Sequence, residues 1–168
     1  MKERKLTKQE ERRQEKYQET DTFLWENQNP KGKIAGDCVI RAIASATGMT
    51  WDQVFDGLVE VARKHKMMPN DKKTYAKFLE GLGWVKHKQP RKDDNRKYTG
   101  EEWCTYVSLN DKEGKTGPMI AHIGGHHLVC IKPTDHGDGI NRRFKVHDHW
   151  NSTKGCIGNY WSKTYMEV

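Results

Sequence analysis

The amino-acid sequence predicts a single α+β domain in which helices come first and an antiparallel sheet follows. Its 168 residues suit one domain with its own hydrophobic core. In the first half, apolar residues recur at helical spacing behind residues that can cap a helix. From residue 117 onward, short runs rich in β-formers alternate with Gly, Asp and Asn turns. Helices followed by strands are typical of α+β architecture.

Each helix has its own start or stop signal. Asp37 is positioned to cap a helix that begins at Cys38 and ends at Gly48, and this helix is apolar nearly all round, as a buried helix is. Further helices are predicted to begin at Thr50, near Asp71 and at Thr99. Residues 23–36 read as an irregular lead-in, and residues 86–97 as a charged loop.

Residues 1–22 carry mixed charge without an apolar stripe, so we expect a charged tail or an exposed helix there and a single domain over residues 23–168. The formal net charge is +7, but basic and acidic side chains are interleaved, which indicates a solvated surface and no specific nucleic-acid partner. No stretch approaches the roughly 18 apolar residues of a membrane span, and the N-terminus lacks the apolar core of a signal peptide. The sequence therefore predicts a protein of the cytosol, or of a virion assembled there, without a membrane partner.

The cysteines are far apart and form no CxxC pair, so the sequence signals neither a disulfide framework nor a zinc ribbon. Cys38 is distinctive because it opens a helix, where unpaired amides and the helix dipole stabilise a thiolate. A small buried hydrophobic residue is the alternative interpretation of the same position.

A thiol nucleophile needs a base and a group that orients the base. The segment GGHHLVCI offers two histidines at the start of an apolar strand, and alternation allows only one of them to face the buried helix. The next strand ends in Asp148, and Trp150 two positions later is placed to shield an imidazole–carboxylate pair from water.

The segments GDCVIRAIA, GHHLV and VHDHWNS, in this order, resemble the papain-like superfamily of cysteine peptidases. They are most similar to bacteriocin-processing peptidases and related bacterial and phage proteins, over about residues 29–161. The resemblance implies a papain-like fold in which a central helix starting at Cys38 packs on a C-terminal antiparallel sheet. It implies Cys38 as nucleophile, His127 as general base and Asp148 as the orienting acid, with His126 and Asn151 as the runner-up base and third member.

Members of that superfamily usually carry a Gln shortly before the nucleophile as an oxyanion donor, but this chain has PKGKIAG there. Gln28 and Asn29 are the nearest side-chain amides, and Asn29 is the favoured candidate, with the Cys38 backbone amide as second donor. The implied chemistry is acyl transfer without a cofactor. Its default form is peptide or isopeptide hydrolysis of a protein or peptide substrate, and transamidation stays open.

Two alternatives belong to other functional classes. The first is a metal site, since several potential ligands crowd into neighbouring strands: His122, His126, His127, Cys130, His147 and His149. The second is a catalytically silent papain-like protein that binds a partner, such as a phage structural component or an inhibitor of host defence. The presence of Cys, His and Asp together favours the catalytic interpretation.

Overall fold

The computed structural model describes residues 7–134 and 142–163, so the predicted loop at 135–141 lies outside the described residues. The helices are α1 (Lys8–Tyr17), α2 (Cys38–Thr47), α3 (Trp51–His65), α4 (Lys72–Gly81) and α5 (Gly100–Asn110). The strands are β1 (Phe23–Trp25), β2 (Val85–His87), β3 (Met119–Ile123), β4 (His127–Thr134), β5 (Arg143–Asp148) and β6 (Ile157–Ser162).

These strands form one mixed sheet in the order β1-β5-β4-β3-β6-β2. The four C-terminal strands pair antiparallel, as the sequence predicts, and β2 joins β6 antiparallel. β1 pairs parallel to β5, so the sheet is not purely antiparallel. The predicted α+β class is confirmed, and both edge strands come from the part of the chain before residue 88.

Those edge strands correct two sequence predictions. The irregular lead-in is wrong over Phe23–Trp25, and the charged loop is wrong where Val85–His87 extends into it. Each strand has only three residues, which is too short to display a period of two in the sequence. Their structure comes from hydrogen bonding to β5 and β6, a non-local cause that local patterns do not record.

The helix signals are accurate, with one exception. α2 begins at Cys38, and Gly48 stops it in the left-handed conformation with φ of 74°. Capping boxes are present at Thr50 and Thr99. Asp37 occupies the N-cap position of α2 as predicted, but its side chain does not cap the helix, because its carboxylate accepts hydrogen bonds from Asn29 and Arg41 instead of from the helix amides.

The sheet is buried on both faces, which explains why β3 is buried along its whole length. One core lies between the sheet and α2, α3 and α4, and includes Ile43, Leu58, Leu79, Ile120, Leu128 and Trp161. The other lies between the sheet and α5, and includes Trp103, Val107, Val129, Ile131, Phe144 and Tyr160. Over the described ranges, the chain contains no helix with the length and apolar character needed to cross a membrane.

Helix α1 is attached to the surface rather than packed into a core. None of the residues of Lys8–Tyr17 is buried, and the Asn151 N–H donates to the Lys16 carbonyl at 2.8 Å. Deleting residues 1–17 should therefore change the free energy of unfolding by about 1 kcal/mol or less, as expected for one peripheral hydrogen bond. Urea denaturation of the shortened chain measures this, and a loss above about 3 kcal/mol would mean that α1 contributes to the core.

Candidate active site

Cys38 is the first residue of α2 and is half-buried where this helix packs on β4. The first amides of a helix have no partner within it, and with the helix dipole they favour a negative charge. The Leu128 N–H of β4 also donates to the Cys38 thiol. The sulfur therefore lies where a thiolate is stabilised from both the helix and the strand.

His127 and Asp148 come together because of strand pairing. β4 and β5 are antiparallel neighbours, so the start of β4 and the end of β5 lie at the same edge of the sheet. Gly124 and Gly125, with φ of 60° and 93°, make the tight turn that leads into His127. His127 Nε2 then lies 2.5 Å from Asp148 Oδ2, which leaves Nδ1 as the ring nitrogen available to the Cys38 thiol.

Strand alternation does not explain why His127 reaches Cys38. Leu128 packs in the core below α2, whereas Val129, which shares the alternation of His127, packs in the core below α5. His127 meets the thiol because it stands at the very start of β4, where the ring can turn around the end of the sheet. His126 is exposed in the glycine turn.

The interaction of Cys38 with His127 shifts the pKa of both groups. Burial alone would raise the Cys38 pKa, but hydrogen bonds from His127 and Leu128 and the nearby positive charges lower it. Burial alone would lower the pKa of His127, but Asp148 and Cys38 raise it to about 9. Both shifts favour a thiolate–imidazolium pair near neutral pH.

Asp148 is held in its ionised form although it is only 5% exposed. Burial would raise its pKa, but His127, the His149 N–H and Arg41 lower it. The His149 N–H donates to Oδ1 at 2.8 Å, and Ser152 Oγ donates to Oδ2 at 3.3 Å. The carboxylate is therefore fixed on both oxygens while it orients the imidazole.

Arg41 is a residue of this site that the sequence interpretation missed. Its guanidinium is buried and bridges two carboxylates: Nε donates to Asp37 Oδ1 at 2.8 Å, and Nη1 donates to Asp148 Oδ1 at 3.2 Å. Helix α2, which carries Cys38, thus also fixes the carboxylate that bonds the His127 imidazole. A signal existed in the sequence, since an Arg inside the apolar helix CVIRAIAS requires a buried carboxylate partner.

The predicted oxyanion donors have a different environment from the expected one. Asn29 Nδ2 donates to Asp37 Oδ2 at 3.0 Å, and Trp51 Nε1 donates to the same oxygen at 2.9 Å. Asn29 therefore supports the carboxylate that holds Arg41, and Gln28 is half-buried in the same segment. The Cys38 N–H belongs to the first turn of α2, where amides lack a partner within the helix.

The runner-up residues lie apart from the hydrogen bonds that join Arg41, Asp148 and His127. Asn151 Oδ1 accepts from the Thr153 N–H and hydroxyl at 3.1 and 2.6 Å, which makes a local turn.

Trp150 lies where the sequence predicts a shield, with its ring centroid 5.2 Å from that of His127. The indole therefore covers one side of the His127 imidazole.

The histidines of the metal hypothesis are dispersed. His122 Nε2 lies 2.5 Å from the Tyr75 hydroxyl, and burial lowers the His122 pKa to about 4. His147 Nδ1 lies 3.7 Å from Glu26 Oε2, and His149 Nδ1 accepts from Arg41. Within residues 7–134 and 142–163, no three His, Cys, Asp or Glu side chains converge as metal ligands do. The described residues therefore give the metal alternative no support.

Comparison with known proteins gives a single result. No protein-family model, curated protein or solved structure matches this chain. The function must therefore be inferred from the geometry of the site itself. That geometry supplies a thiol with a lowered pKa, an imidazole that can hold or release a proton, and a buried carboxylate that fixes the imidazole.

Proposed function

We propose that the protein is a papain-like, thiol-dependent acyl hydrolase, a cysteine peptidase or isopeptidase. The observation that carries this proposal is the position of His127 between the Cys38 thiol and the Asp148 carboxylate, with Nε2 2.5 Å from Oδ2. A helix that presents the nucleophile to a sheet bearing the base and the acid also agrees with the family that the sequence motifs resemble.

In the proposed reaction, the Cys38 thiolate attacks the substrate carbonyl carbon and forms a tetrahedral adduct. The Cys38 N–H donates to the resulting oxyanion. As the carbon–nitrogen bond breaks, His127 gives its Nδ1 proton to the leaving amine, and a thioester remains on Cys38. Water then attacks the thioester while His127 accepts a proton, and the acid product leaves as the thiolate–imidazolium pair is restored. Attack by an amine in place of water would give transamidation.

The reactivity of Cys38 tests this proposal without knowledge of the substrate. An ordinary thiol with a pKa of about 8.5 is only about 0.3% ionised at about pH 6, whereas the lowered pKa of Cys38 leaves a larger fraction of it as thiolate. A limiting dose of iodoacetamide at that pH should therefore alkylate Cys38 before the exposed Cys156. Peptide mass spectrometry measures the order, and labelling of Cys38 no faster than Cys156 would contradict the proposal.

Matched histidine variants identify the base. His127→Ala should slow Cys38 alkylation at about pH 6 by at least about tenfold, because the thiol pKa rises when the imidazolium is removed. The neighbouring His126→Ala should leave the rate nearly unchanged, since His126 is exposed. Cys130 is an internal control, because burial raises its pKa to about 12. If iodoacetamide labels Cys38 rapidly but no acyl group is ever released from it, the alternative of a catalytically silent binding protein would be favoured instead.

A further inference from the structure

An apolar groove lies beside the nucleophile, between the first turn of α2 and helix α3. Its volume is about 320 Å³, and the chain neighbours of Cys38 on both sides line it through Gly36, Asp37 and Val39. Trp51, Phe55 and Leu58 of α3 form its apolar wall. The groove therefore adjoins the first turn of α2, beside the residue proposed as the nucleophile.

Apolar side chains in and around the groove are exposed to solvent. The rings of Trp51 and Phe55 stack with centroids 5.2 Å apart, and Phe55 is 40% exposed. Ile34 and Met68, each next in the chain to a lining residue, are 72% and 64% exposed. Exposed apolar side chains gathered around a concave site are typical of ligand-binding surfaces.

The charge of Asp37 does not select a basic ligand for this groove. Its Oδ1 accepts from Arg41 Nε at 2.8 Å, and its Oδ2 accepts from Asn29 and Trp51 at 3.0 and 2.9 Å. Both carboxylate oxygens are therefore occupied by hydrogen-bond donors of the protein. An uncharged apolar group is the occupant that this lining favours.

The two sides of the site are chemically distinct. His127, which would protonate the leaving group, lines a separate depression with Trp150 and Gly124. The α2–α3 groove is instead lined by the residues that precede and follow the nucleophile, to which the acyl group stays attached. The acyl part of a substrate is thus directed to the groove, and the leaving group to the depression beside His127.

We infer that the α2–α3 groove binds an apolar side chain or acyl chain on the carbonyl side of the bond that is cleaved. This inference rests on the proposed function and adds the substrate class: acyl donors that are apolar next to the reacting carbonyl. A charged acyl group at this position would lose its hydration without gaining a partner.

Two p-nitrophenyl esters that differ only in the acyl chain test the groove. The full chain should release nitrophenolate from p-nitrophenyl hexanoate about 10-fold to about 100-fold faster than from the acetate, as a second-order rate constant, because the additional methylenes are buried. A free thiol such as N-acetylcysteine gives the intrinsic reactivity ratio of the two esters. Phe55→Glu should remove the preference, whereas Leu109→Glu, at a 71% exposed position on α5, should retain it.

The outcomes separate this inference from the proposed function. If neither ester nor iodoacetamide modifies Cys38, the proposed function is wrong. If both modify Cys38 but the hexanoate has no advantage, or the advantage survives Phe55→Glu, the groove inference alone is wrong. Phe55→Leu, which keeps the groove apolar, should retain the preference for the hexanoate. Loss of that preference in Phe55→Leu would also overturn the inference. A stable dimer in sedimentation that Phe55→Glu dissociates would show that a second copy occupies the groove instead.

Discussion

Asp148→Asn is expected to lower the turnover of p-nitrophenyl acetate by about 10²-fold to about 10⁴-fold, with a much smaller effect on stability. An amide in place of the carboxylate can hold the imidazole in the wrong tautomer and does not stabilise the imidazolium. The free energy of unfolding should fall by only about 1–2 kcal/mol, because Arg41 still pairs with Asp37. Steady-state kinetics and urea denaturation of the same variant give both numbers.

The pH dependence of turnover distinguishes a role in orienting His127 from a purely structural role. Only the former would shift the rate profile along the pH axis. Asp148 raises the pKa of His127, which reaches about 9, so the imidazolium that pairs with the Cys38 thiolate persists up to about that pH. In Asp148→Asn the pKa should fall, and the basic limb of the rate profile should move to lower pH. Asn151→Ala is the matched control, since Asn151 bonds Thr153 and should leave turnover nearly unchanged. Equal fractional losses of turnover and stability in Asp148→Asn would make Asp148 a structural residue.

Arg41→Met is expected to cost about 3–5 kcal/mol of the free energy of unfolding, because it leaves two buried carboxylates without their shared cation. Arg41 also lowers the pKa of Asp37 and of Asp148. Without it both pKa values should rise, and protonation at low pH should relieve part of the penalty. The difference between variant and parent, measured by urea denaturation, should therefore be larger at about pH 7 than at about pH 4.

Arg41→Lys separates charge from geometry. A lysine keeps the positive charge but cannot donate along two fixed directions as a guanidinium does. We expect a loss about half that of Arg41→Met, together with slower alkylation of Cys38, since Asp148 would orient His127 less firmly. A loss of less than about 1 kcal/mol in Arg41→Met would mean that the bridge between Asp37 and Asp148 contributes little to stability.

The sequence by itself determined the features that depend on neighbours a few residues apart. The capping boxes at Thr50 and Thr99 and the left-handed stop at Gly48 are interactions within a single turn, so local residue types suffice to predict them. The same holds for the placement of Cys38 at a helix start. The α+β class followed because helical periodicity precedes residue 117 and strand periodicity follows it.

The two edge strands needed the tertiary structure. Phe23–Trp25 and Val85–His87 become strands only because β5 and β6 offer them hydrogen bonds from far along the chain. Asp37 was expected to cap α2, yet a buried guanidinium, an indole and an amide compete more strongly for its oxygens than exposed helix amides do.

The arrangement around His127 was also decided by tertiary contacts. Alternation along β4 places Val129 under α5, so the pattern alone does not bring His127 to the α2 side. The ring reaches Cys38 because β4 begins where β5 ends, which brings Asp148 to His127 Nε2, and because α2 starts at the same edge of the sheet. The sequence supplied the chemical groups and the helix start. The packing of α2 on β4 and β5 determined which of these groups meet, because the contacts join residues about a hundred positions apart in the chain.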